Sequence, residues 1–307
     1  MPVPQISVVI PAYNAEQTIA RTLESVLAQS FVPQEIIVVD DGSKDGTAEL
    51  VARDFPQVTL IRQANAGPAA ARNHGVRVAN GDWIALLDSD DAWLPEKIKK
   101  QLPAMKPGTA LVHTHTKQDR CKTTQNITFD VLWHHNHIGT STVVFNKALF
   151  LQVGGFEEDR KFIGAEDYNM WLRLAATGQR IVTIREELTL YTPAENSLSQ
   201  QIAKVIQAEL LNMNTIARQY HLPEEKVAAK RAALYEEYAQ ALFWMRDLPL
   251  ARKYYRELLR DRPSATALGY WLATYLPVGV LNMPRLVAQP RRSAAPAVPS
   301  APLVLSR

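Results

Sequence analysis

Residues 83–91, WIALLDSDD, are the stretch that decides the fold of this chain. The apolar run over residues 83–87 predicts a strand that is buried on both faces. It ends at Asp88, Asp90 and Asp91, three carboxylates that repel one another unless a cation holds them. Oxygen ligands on a short loop suit Mg²⁺ or Mn²⁺. Taken alone, the stretch is equally well interpreted as an acidic turn or a helix cap.

The composition limits the class of protein. The chain has 307 residues, 47% of them hydrophobic and 21% charged, which is typical of a soluble globular protein with one large domain and an appended piece. Its net charge of +3 gives little support to nucleic-acid binding, so we expect no nucleic-acid partner. One cysteine, Cys121, excludes a disulfide framework and a cysteine-based zinc site. No secretory signal or membrane-spanning segment is predicted, and we expect a cytoplasmic protein.

Strand and helix patterns alternate through the first hundred residues. Strands are predicted at residues 6–10, 35–39, 58–61 and 83–87. Helices are predicted at residues 16–29 and 67–78, and a short helix between them ends at residue 54. Such alternation predicts an α/β domain, a parallel sheet with helices on both faces. Ligands bind beyond the carboxyl ends of such strands, which brings residues 11–14, 40–45 and 88–91 to one edge of the sheet.

The loops at this edge exclude the common nucleotide-binding motifs. The turn after the first strand, residues 11–16, reads PAYNAE, whereas a dinucleotide-binding fold needs G-x-G-x-x-G there. The phosphate-binding pattern G-x-x-x-x-G-K-[ST] is absent from the sequence. A nucleotidyl transferase of sugars would have a glycine-rich turn with a basic residue at this place, so nucleotidyl transfer is disfavoured.

A second acidic pair begins a predicted helix in the middle of the chain. Glu166 and Asp167 precede residues 168–176, in which apolar side chains recur at helical spacing. Acids at a helix N terminus are stabilised by the helix dipole, which is the purely structural interpretation. The functional interpretation is that one of them faces the acidic edge of the sheet and acts as a general base.

Six segments in series resemble the glycosyltransferase family 2 domain. They are SVVIPAYNAE (7–16), IIVVDDGSKDGT (36–47), GPAAARNHGV (67–76), DWIALLDSDDAWLPEKI (82–98), VVFNKALFLQVGGFEE (143–158) and AEDYNMWLRLAATG (165–178). Order and spacing match over residues 5–192. The resemblance implies an inverting transferase with the GT-A fold, a Rossmann-like, mostly parallel sheet flanked by helices, here with an α-helical C-terminal appendage.

The resemblance also implies roles for single residues. The main chain of Ala12 and Tyr13 contacts the nucleoside, and Asp40 accepts the N3–H of uracil, which implies a UDP-sugar donor. Asp88 contacts the ribose, Asp90 holds the divalent metal, Mg²⁺ or Mn²⁺, and Asp91 begins the next helix. Arg72 approaches the base or the diphosphate. The full predicted donor-binding set is Pro11, Ala12, Tyr13, Asn14, Glu16, Asp40, Asp41, Gly67, Arg72, Asp88 and Ser89.

Asp167 is the predicted catalytic base, with Glu166 as the second choice. In the implied reaction the base takes a proton from a hydroxyl of a glycan or lipid-linked acceptor, and the configuration at the sugar inverts. Surface polysaccharide biosynthesis is the implied setting. A catalytically silent sugar-nucleotide-binding or scaffolding subunit of a polysaccharide assembly complex is the alternative.

The resemblance fails at one place. The family often carries an Arg-x-His pattern after the strand that follows the base helix, where residues 190–197 of this chain read LYTPAENS. Both basic residues are missing. Either another group completes the diphosphate site or metal binding is weaker than in relatives.

Two aromatic side chains are candidates for acceptor contact. Trp93 could stack on a sugar ring, with core packing as the equal alternative. His137 lies in a predicted acceptor-side loop with His134 and His135, whose spacing matches no standard zinc motif.

The chain becomes helical after the predicted transferase domain, residues 1–198. Residues 199–263 predict a helical appendage with a tetratricopeptide-like hairpin, built from helices at 202–220, 224–246 and 250–260. Residues 264–292 are apolar, aromatic and interrupted by prolines, and residues 293–307 are Ala/Pro/Ser-rich and predicted to be disordered. From residue 246 to 292 nine Lys/Arg stand against three acids. Residues 264–292 therefore predict contact with the inner face of the plasma membrane, with a helix packed on the domain as the alternative.

Overall fold

The computed structural model describes residues 4–116, 126–192 and 202–281. The chain divides into two compact units, of which the first reaches Ala208 and the second starts at Glu209. The predicted boundary at residue 198, Cys121 and the tail at 293–307 lie outside the described residues, so those predictions stay predictions.

One mixed sheet forms the centre of the first unit. Its strands in the described part are β1 (Ile6–Ala12), β2 (Glu35–Asp40), β3 (Thr59–Arg62), β4 (Trp83–Leu86), β5 (Ala92–Trp93), β6 (Thr109–Thr116), β7 (Asn126–Ile127), β8 (Val143–Asn146) and β9 (Arg180–Leu190). The strand order is β3-β2-β1-β4-β8-β6-β9-β5, and β7 pairs with β9. Strands β1 to β4 are parallel, as the alternating pattern predicted, while β8 is antiparallel to both β4 and β6.

Seven helices flank this sheet in the described part of the first unit. They are α1 (Ile19–Leu27), α2 (Thr47–Asp54), α3 (Pro68–Val78), α4 (Lys97–Gln101), α5 (Phe129–His134), α6 (Lys147–Gln152) and α7 (Glu166–Ala176). Helix α1 begins three residues later than predicted because loop contacts occupy the preceding backbone. The Ala15 N–H donates to Thr47 Oγ1 at 2.8 Å, and the Glu16 N–H donates to Asp45 Oδ2 at 3.1 Å.

The prediction that Asp91 begins a helix is wrong. Asp91 is 2% exposed, and its Oδ1 accepts the Thr192 N–H at 3.0 Å. The next element is β5, which pairs antiparallel with β9, and α4 begins only at Lys97. The Asp91 carboxylate therefore joins the loop after β4 to the segment after β9. No local sequence pattern predicts this contact.

Helix α3 packs directly on the centre of the sheet. A Cβ atom on Gly75 would lie 2.4 Å from Val9 Cγ1 and 3.2 Å from Val39 Cγ2, so only glycine allows this approach to β1 and β2. The close packing fixes the N-terminal end of α3 beyond the carboxyl ends of the strands.

The second unit is helical. After α8 (Ile202–Gln219), which runs from the first unit into the second, the chain forms α9 (Glu224–Trp244), α10 (Leu248–Asp261), α11 (Ala265–Ala273) and α12 (Val278–Leu281). The α9–α10 turn is closed by Asp247, whose Oδ1 accepts the Leu250 N–H at 3.2 Å. No helix within residues 4–116, 126–192 and 202–281 has the length and apolarity needed to cross a bilayer.

Candidate active site

The loops after β1 and β2 are held together by polar contacts. The Asn14 N–H donates to Ser43 Oγ at 2.9 Å, and Asn14 Oδ1 accepts the Lys44 N–H at 2.9 Å. Asn14 has a positive φ of 50°, a conformation that asparagine adopts more readily than most residues. Glu16 accepts the Gly46 N–H at 3.1 Å. These bonds make residues 11–16 and 40–47 one surface, from which the Tyr13 side chain projects with 47% exposure.

The neighbouring acids Asp40 and Asp41 are used differently. Asp41 accepts hydrogen bonds from Gln63, from the Ala66 N–H and from the Gly67 N–H, each at 2.8 Å. It therefore shapes the loop before α3, where Gly67 has a φ of +96°. Asp40 Oδ1 accepts the Ser43 N–H at 3.2 Å. Its buried Oδ2 is ion-paired with Arg62 Nε at 3.5 Å but accepts no hydrogen bond from the described residues. Asp40 Oδ2 thus keeps a hydrogen-bond acceptor position for a ligand.

Arg72 joins the two acidic motifs. Its Nη2 donates to Asp88 Oδ1 at 2.8 Å, and its Nη1 donates to Glu166 Oε1 at 2.9 Å. The arginine is 5% exposed, so both contacts are shielded from water. The pKa of Arg72 is raised above its ordinary value because the two carboxylates outweigh burial, which lowers it. The buried ion pairs bring the end of β4 and the start of α7 to one place, although 78 residues separate Asp88 from Glu166.

The acidic loop after β4 places three carboxylates close together, and two of them have raised pKa values. Burial, and then the charge of Asp88, raise the pKa of Asp90 to about 6. The same two causes raise the pKa of Asp91 to about 7. A divalent cation would relieve this repulsion, so Asp88 and Asp90 fit such an ion.

Within the described residues, Asp88 and Asp90 could form part of a metal coordination shell. Among the described residues no three His, Cys, Asp or Glu side chains are grouped so that they could hold a metal ion. Mg²⁺ is commonly bound by one or two carboxylates together with phosphate oxygens and water. The Asp88-Ser89-Asp90 loop therefore fits a metal that binds together with a phosphorylated ligand.

Glu166 and Asp167 are adjacent but have different environments. Glu166 is paired with Arg72, and its Oε2 accepts the Gly164 N–H at 2.7 Å. Asp167 accepts the Tyr168 N–H at 2.6 Å and the Thr140 hydroxyl at 3.1 Å. Burial, and then the neighbouring Glu166 charge, raise the pKa of Asp167 to about 7. A carboxylate with that pKa can hold or release a proton near neutral pH, whereas Glu166 is committed to its ion pair.

The two predicted acceptor residues lie in different surroundings. Trp93 is 3% exposed, and its indole N–H donates to the Ser141 carbonyl at 2.7 Å. The Lys97 ammonium lies 4.2 Å from the Trp93 ring centroid. Trp93 is therefore a core residue, which was the alternative interpretation of its sequence. The His137 ring is half-buried, 5.0 Å from the ring of His135.

Two residues of the site have no signal in the sequence. Thr140 holds Asp167, and Arg21 on α1 donates to the Asp90 carbonyl at 2.5 Å and to the Thr192 hydroxyl at 2.7 Å. A threonine in a loop and an arginine on an amphipathic helix are ordinary in any chain. Only the fold, which brings α1, β4 and the end of β9 together, reveals their positions.

Comparison with known proteins identifies the family. The model of glycosyl transferase family 2 matches residues 7–154, a range that contains Asp40, Asp88 and Asp90 but ends before Asp167. The chain is 47% identical over 102 residues to the succinoglycan biosynthesis protein ExoO of Rhizobium meliloti. This aligned stretch covers 33% of this chain and 29% of ExoO.

Two further relatives are matched over more of their length. The Escherichia coli protein WfgD, a UDP-Glc:alpha-D-GlcNAc-diphosphoundecaprenol beta-1,3-glucosyltransferase, is 32% identical over 55% of this chain and 69% of its own. The putative teichuronic acid biosynthesis glycosyltransferase TuaG of Bacillus subtilis is 31% identical over 64% of this chain and 82% of its own.

Solved structures share the fold. The mannosyltransferase PcManGT of Pyrobaculum calidifontis, in complex with GDP-Man and Mn²⁺, superposes with a TM-score of 0.64 at 20% identity over 91% of this chain and 81% of its own. TarS of S. aureus, in complex with UDP-GlcNAc, gives a TM-score of 0.60 at 21% identity. The match covers 88% of this chain and 79% of the TarS chain. The sheet and its flanking helices are thus the GT-A fold of glycosyltransferases. The chain belongs to glycosyltransferase family 2.

Proposed function

We propose that this glycosyltransferase moves a sugar, with inversion, from a uridine diphosphate donor to a hydroxyl of a glycan or lipid-linked acceptor. The observation that supports it best is the pair of buried Arg72 contacts to Asp88 and Glu166. They hold the acidic loop beside the N terminus of α7, where Asp167 carries a pKa of about 7. A site for a charged leaving group thus adjoins a proton acceptor.

The proposed reaction is a single displacement. Asp167 accepts the proton of the acceptor hydroxyl while that oxygen forms a bond to the anomeric carbon. The bond from the anomeric carbon to the β-phosphate oxygen breaks, and its electron pair leaves with the nucleoside diphosphate. Attack from the face opposite the leaving group inverts the configuration. Thr140, which donates to Asp167, holds the base in place.

A divalent metal fits the acidic loop as part of this proposal. Asp90, with Asp88 beside it, would hold Mg²⁺ or Mn²⁺, which would supply positive charge to the diphosphate. The raised pKa of Asp90 supports this assignment, because unneutralised acids crowd the loop. PcManGT was solved with Mn²⁺, which supports the same choice of ion without assigning it to this chain.

Asp40 is the proposed nucleobase contact. Its buried Oδ2 faces Arg62 Nε at 3.5 Å but accepts no hydrogen bond from the described residues, so it can accept the N3–H of uracil, which cytosine lacks. Guanine also carries a ring N–H, so the contact separates uracil and guanine from cytosine only. A thermal-shift panel of UDP-, GDP- and CDP-sugars with Mn²⁺ tests the assignment. We expect the largest stabilisation with a UDP-sugar, while stabilisation by CDP-sugars alone would contradict the role of Asp40.

Surface polysaccharide biosynthesis is the proposed setting. The names of the relatives refer to succinoglycan, teichuronic acid and a diphosphoundecaprenol-linked acceptor. The shared family supports a glycan or lipid-linked acceptor for this chain, and we retain His137 and the loop around it as the proposed acceptor side.

The second unit supports a proposed contact with an anionic membrane. Exposed apolar side chains gather on α11, on α12 and on the turn between them, namely Leu268, Leu272, Tyr275, Leu276, Val278 and Val280. Two cations adjoin this apolar face. Arg252 donates to the Thr274 carbonyl at 2.6 Å and lies 3.7 Å from the Tyr275 ring centroid, and Arg246 donates to the Leu281 carbonyl at 3.3 Å. Apolar insertion flanked by arginine suits anionic lipid.

Flotation of the full chain with vesicles tests this contact. We expect recovery with phosphatidylglycerol-containing vesicles, and its loss in the Leu272→Glu/Leu276→Glu variant. Leu151→Glu is the matched control, because Leu151 is an exposed leucine of α6 in the other unit. Equal flotation of the double variant and the wild type would contradict the proposal.

A further inference from the structure

A diphosphate that binds at the acidic loop brings negative charge to a place already crowded with carboxylates. Besides a metal ion, a side-chain cation there would offset part of that charge. Arg72 cannot serve fully, because it is 5% exposed and both of its Nη atoms donate to carboxylates. Its positive charge is already balanced by Asp88 and Glu166.

Arg21 is differently placed. It lies in the first turn of α1 with an exposed side chain, and its Nη2 donates to two uncharged oxygens, the Asp90 carbonyl and the Thr192 hydroxyl. Neither contact neutralises the guanidinium.

The position of Arg21 relative to the loop is fixed by its neighbour in the helix. Thr22 is buried, and its hydroxyl lies 2.9 Å from the Ser89 carbonyl and 2.7 Å from the Asp91 carbonyl. The first turn of α1 therefore contacts three successive carbonyl groups of the acidic loop. These contacts use only Nη2 of the Arg21 guanidinium, so within the described residues Nη1 and Nε keep their N–H groups for a ligand.

We propose that Arg21 binds the diphosphate of the nucleotide donor and balances the charge that develops on the leaving group. This inference rests on the proposed function and names a donor-binding residue of that same site. An arginine fork matches phosphate oxygens better than an ammonium does, so the side chain supplies directed bonds as well as charge.

The competing explanation is that Arg21 only clamps the loop to Thr192. The comparison of UDP with uridine, made with and without Mn²⁺, separates the two explanations. Both ligands use the nucleoside site and only UDP carries the diphosphate, and a loss of UDP affinity that disappears without Mn²⁺ would mark a disturbed Asp90 loop instead of a lost Arg21 contact. We expect Arg21→Gln to weaken UDP binding about 10- to 100-fold in calorimetry with Mn²⁺, the range for hydrogen bonds to charged groups. We expect uridine binding, followed by NMR titration, to be unchanged.

Two control variants sharpen the test. Arg53→Gln removes an exposed arginine of α2 that pairs only with its neighbour Asp54, and it should bind UDP like the wild type. Thr192→Val removes one Arg21 contact but keeps the Arg21 charge. It should therefore weaken UDP binding much less than Arg21→Gln does.

Each other outcome is decisive. Unchanged UDP affinity in Arg21→Gln overturns the inference, and so does an equal loss of UDP and uridine, which would mark a clamp. In both cases the wild type still binds UDP and the proposed function stands. A wild type that binds none of UDP, GDP and uridine overturns the inference and the proposed function together.

Discussion

At the scale of single residues, the site separates two adjacent acids by their partners. Glu166 gives both oxygens to fixed partners, the Arg72 guanidinium and the Gly164 N–H. Asp167 accepts hydrogen bonds from Tyr168 and Thr140 and retains further lone pairs for an acceptor hydroxyl. Sequence alone favoured Asp167 only by resemblance, and the geometry now supplies a physical reason for the same proposal.

The proposed base predicts a pH dependence. Because burial and Glu166 raise the pKa of Asp167 to about 7, the base is protonated and inactive below that pH and active above it. We expect kcat/KM to rise with pH through about 7. Thr140→Val removes a hydrogen bond that lowers this pKa, so its profile should shift to higher pH. An unshifted profile would contradict the hydrogen bond from Thr140 to the charged form of Asp167.

Substitution of the base should separate chemistry from binding. We expect Asp167→Asn to lower kcat by about 10²- to 10⁴-fold and to leave the Kd for UDP unchanged. Asp82→Asn, in an exposed aspartate of the same unit, is the control and should leave both constants unchanged. A loss of UDP affinity in Asp167→Asn that matches its loss of kcat would contradict the assignment.

At the scale of elements, the apolar patterns predicted where strands and helices lie, and the polar contacts decided where they begin. Helix α1 starts at Ile19 because Asp45 and Thr47 engage the backbone before it. The short strand β5 was missed because its pairing partner, β9, lies about a hundred residues away. An even larger separation of 171 residues hides the contact of Arg21 with Thr192. Local pattern carries no information on such pairs.

The Arg72 contacts predict a large stability effect. Arg72→Met would leave Asp88 and Glu166 without their common cation, and losing one member of a buried ion pair costs about 3–5 kcal/mol of unfolding free energy. Arg77→Met, on the same helix, removes an exposed arginine 3.6 Å from Glu158 and should cost below about 1 kcal/mol. Urea unfolding of both variants measures the difference, and equal values would contradict the bridging role.

The surroundings of two helical glycines predict opposite effects of an alanine substitution on the free energy of unfolding. Gly75→Ala places a Cβ atom 2.4 Å from Val9 Cγ1, so it should destabilise the first unit by about 1–3 kcal/mol. Gly269→Ala, in α11, meets no atom within 4 Å and should stabilise its helix by about 0.5–1 kcal/mol. Thermal unfolding of both variants tests these two effects. Stabilisation by Gly75→Ala would contradict the close packing of α3 on β1 and β2.

At the scale of the whole molecule, the ordered series of six motifs was sufficient to predict the fold class and the edge of the sheet that carries the site. Helices α8, α9 and α10 were also predicted from periodicity, whereas residues 264–292 were predicted as an apolar membrane-contact segment with a packed helix as the alternative. The use of Asp41 as a loop scaffold could not be predicted, and the sequence could not decide between core packing and sugar contact for Trp93, because both depend on side chains brought together by the complete sheet. The sequence showed that α11 and α12 are apolar, but only the structure shows which of their apolar side chains are exposed.

The most direct test of inverting, base-assisted transfer is the stereochemistry of donor hydrolysis, which needs no known acceptor. The measurement is ¹H NMR of the sugar released with Mn²⁺ from the UDP-sugar selected by thermal shift. For an α-linked donor we predict that the β-hemiacetal appears first, before mutarotation, and that Asp167→Asn abolishes its release. Initial formation of the α-hemiacetal, or unchanged release by Asp167→Asn, would contradict the mechanism.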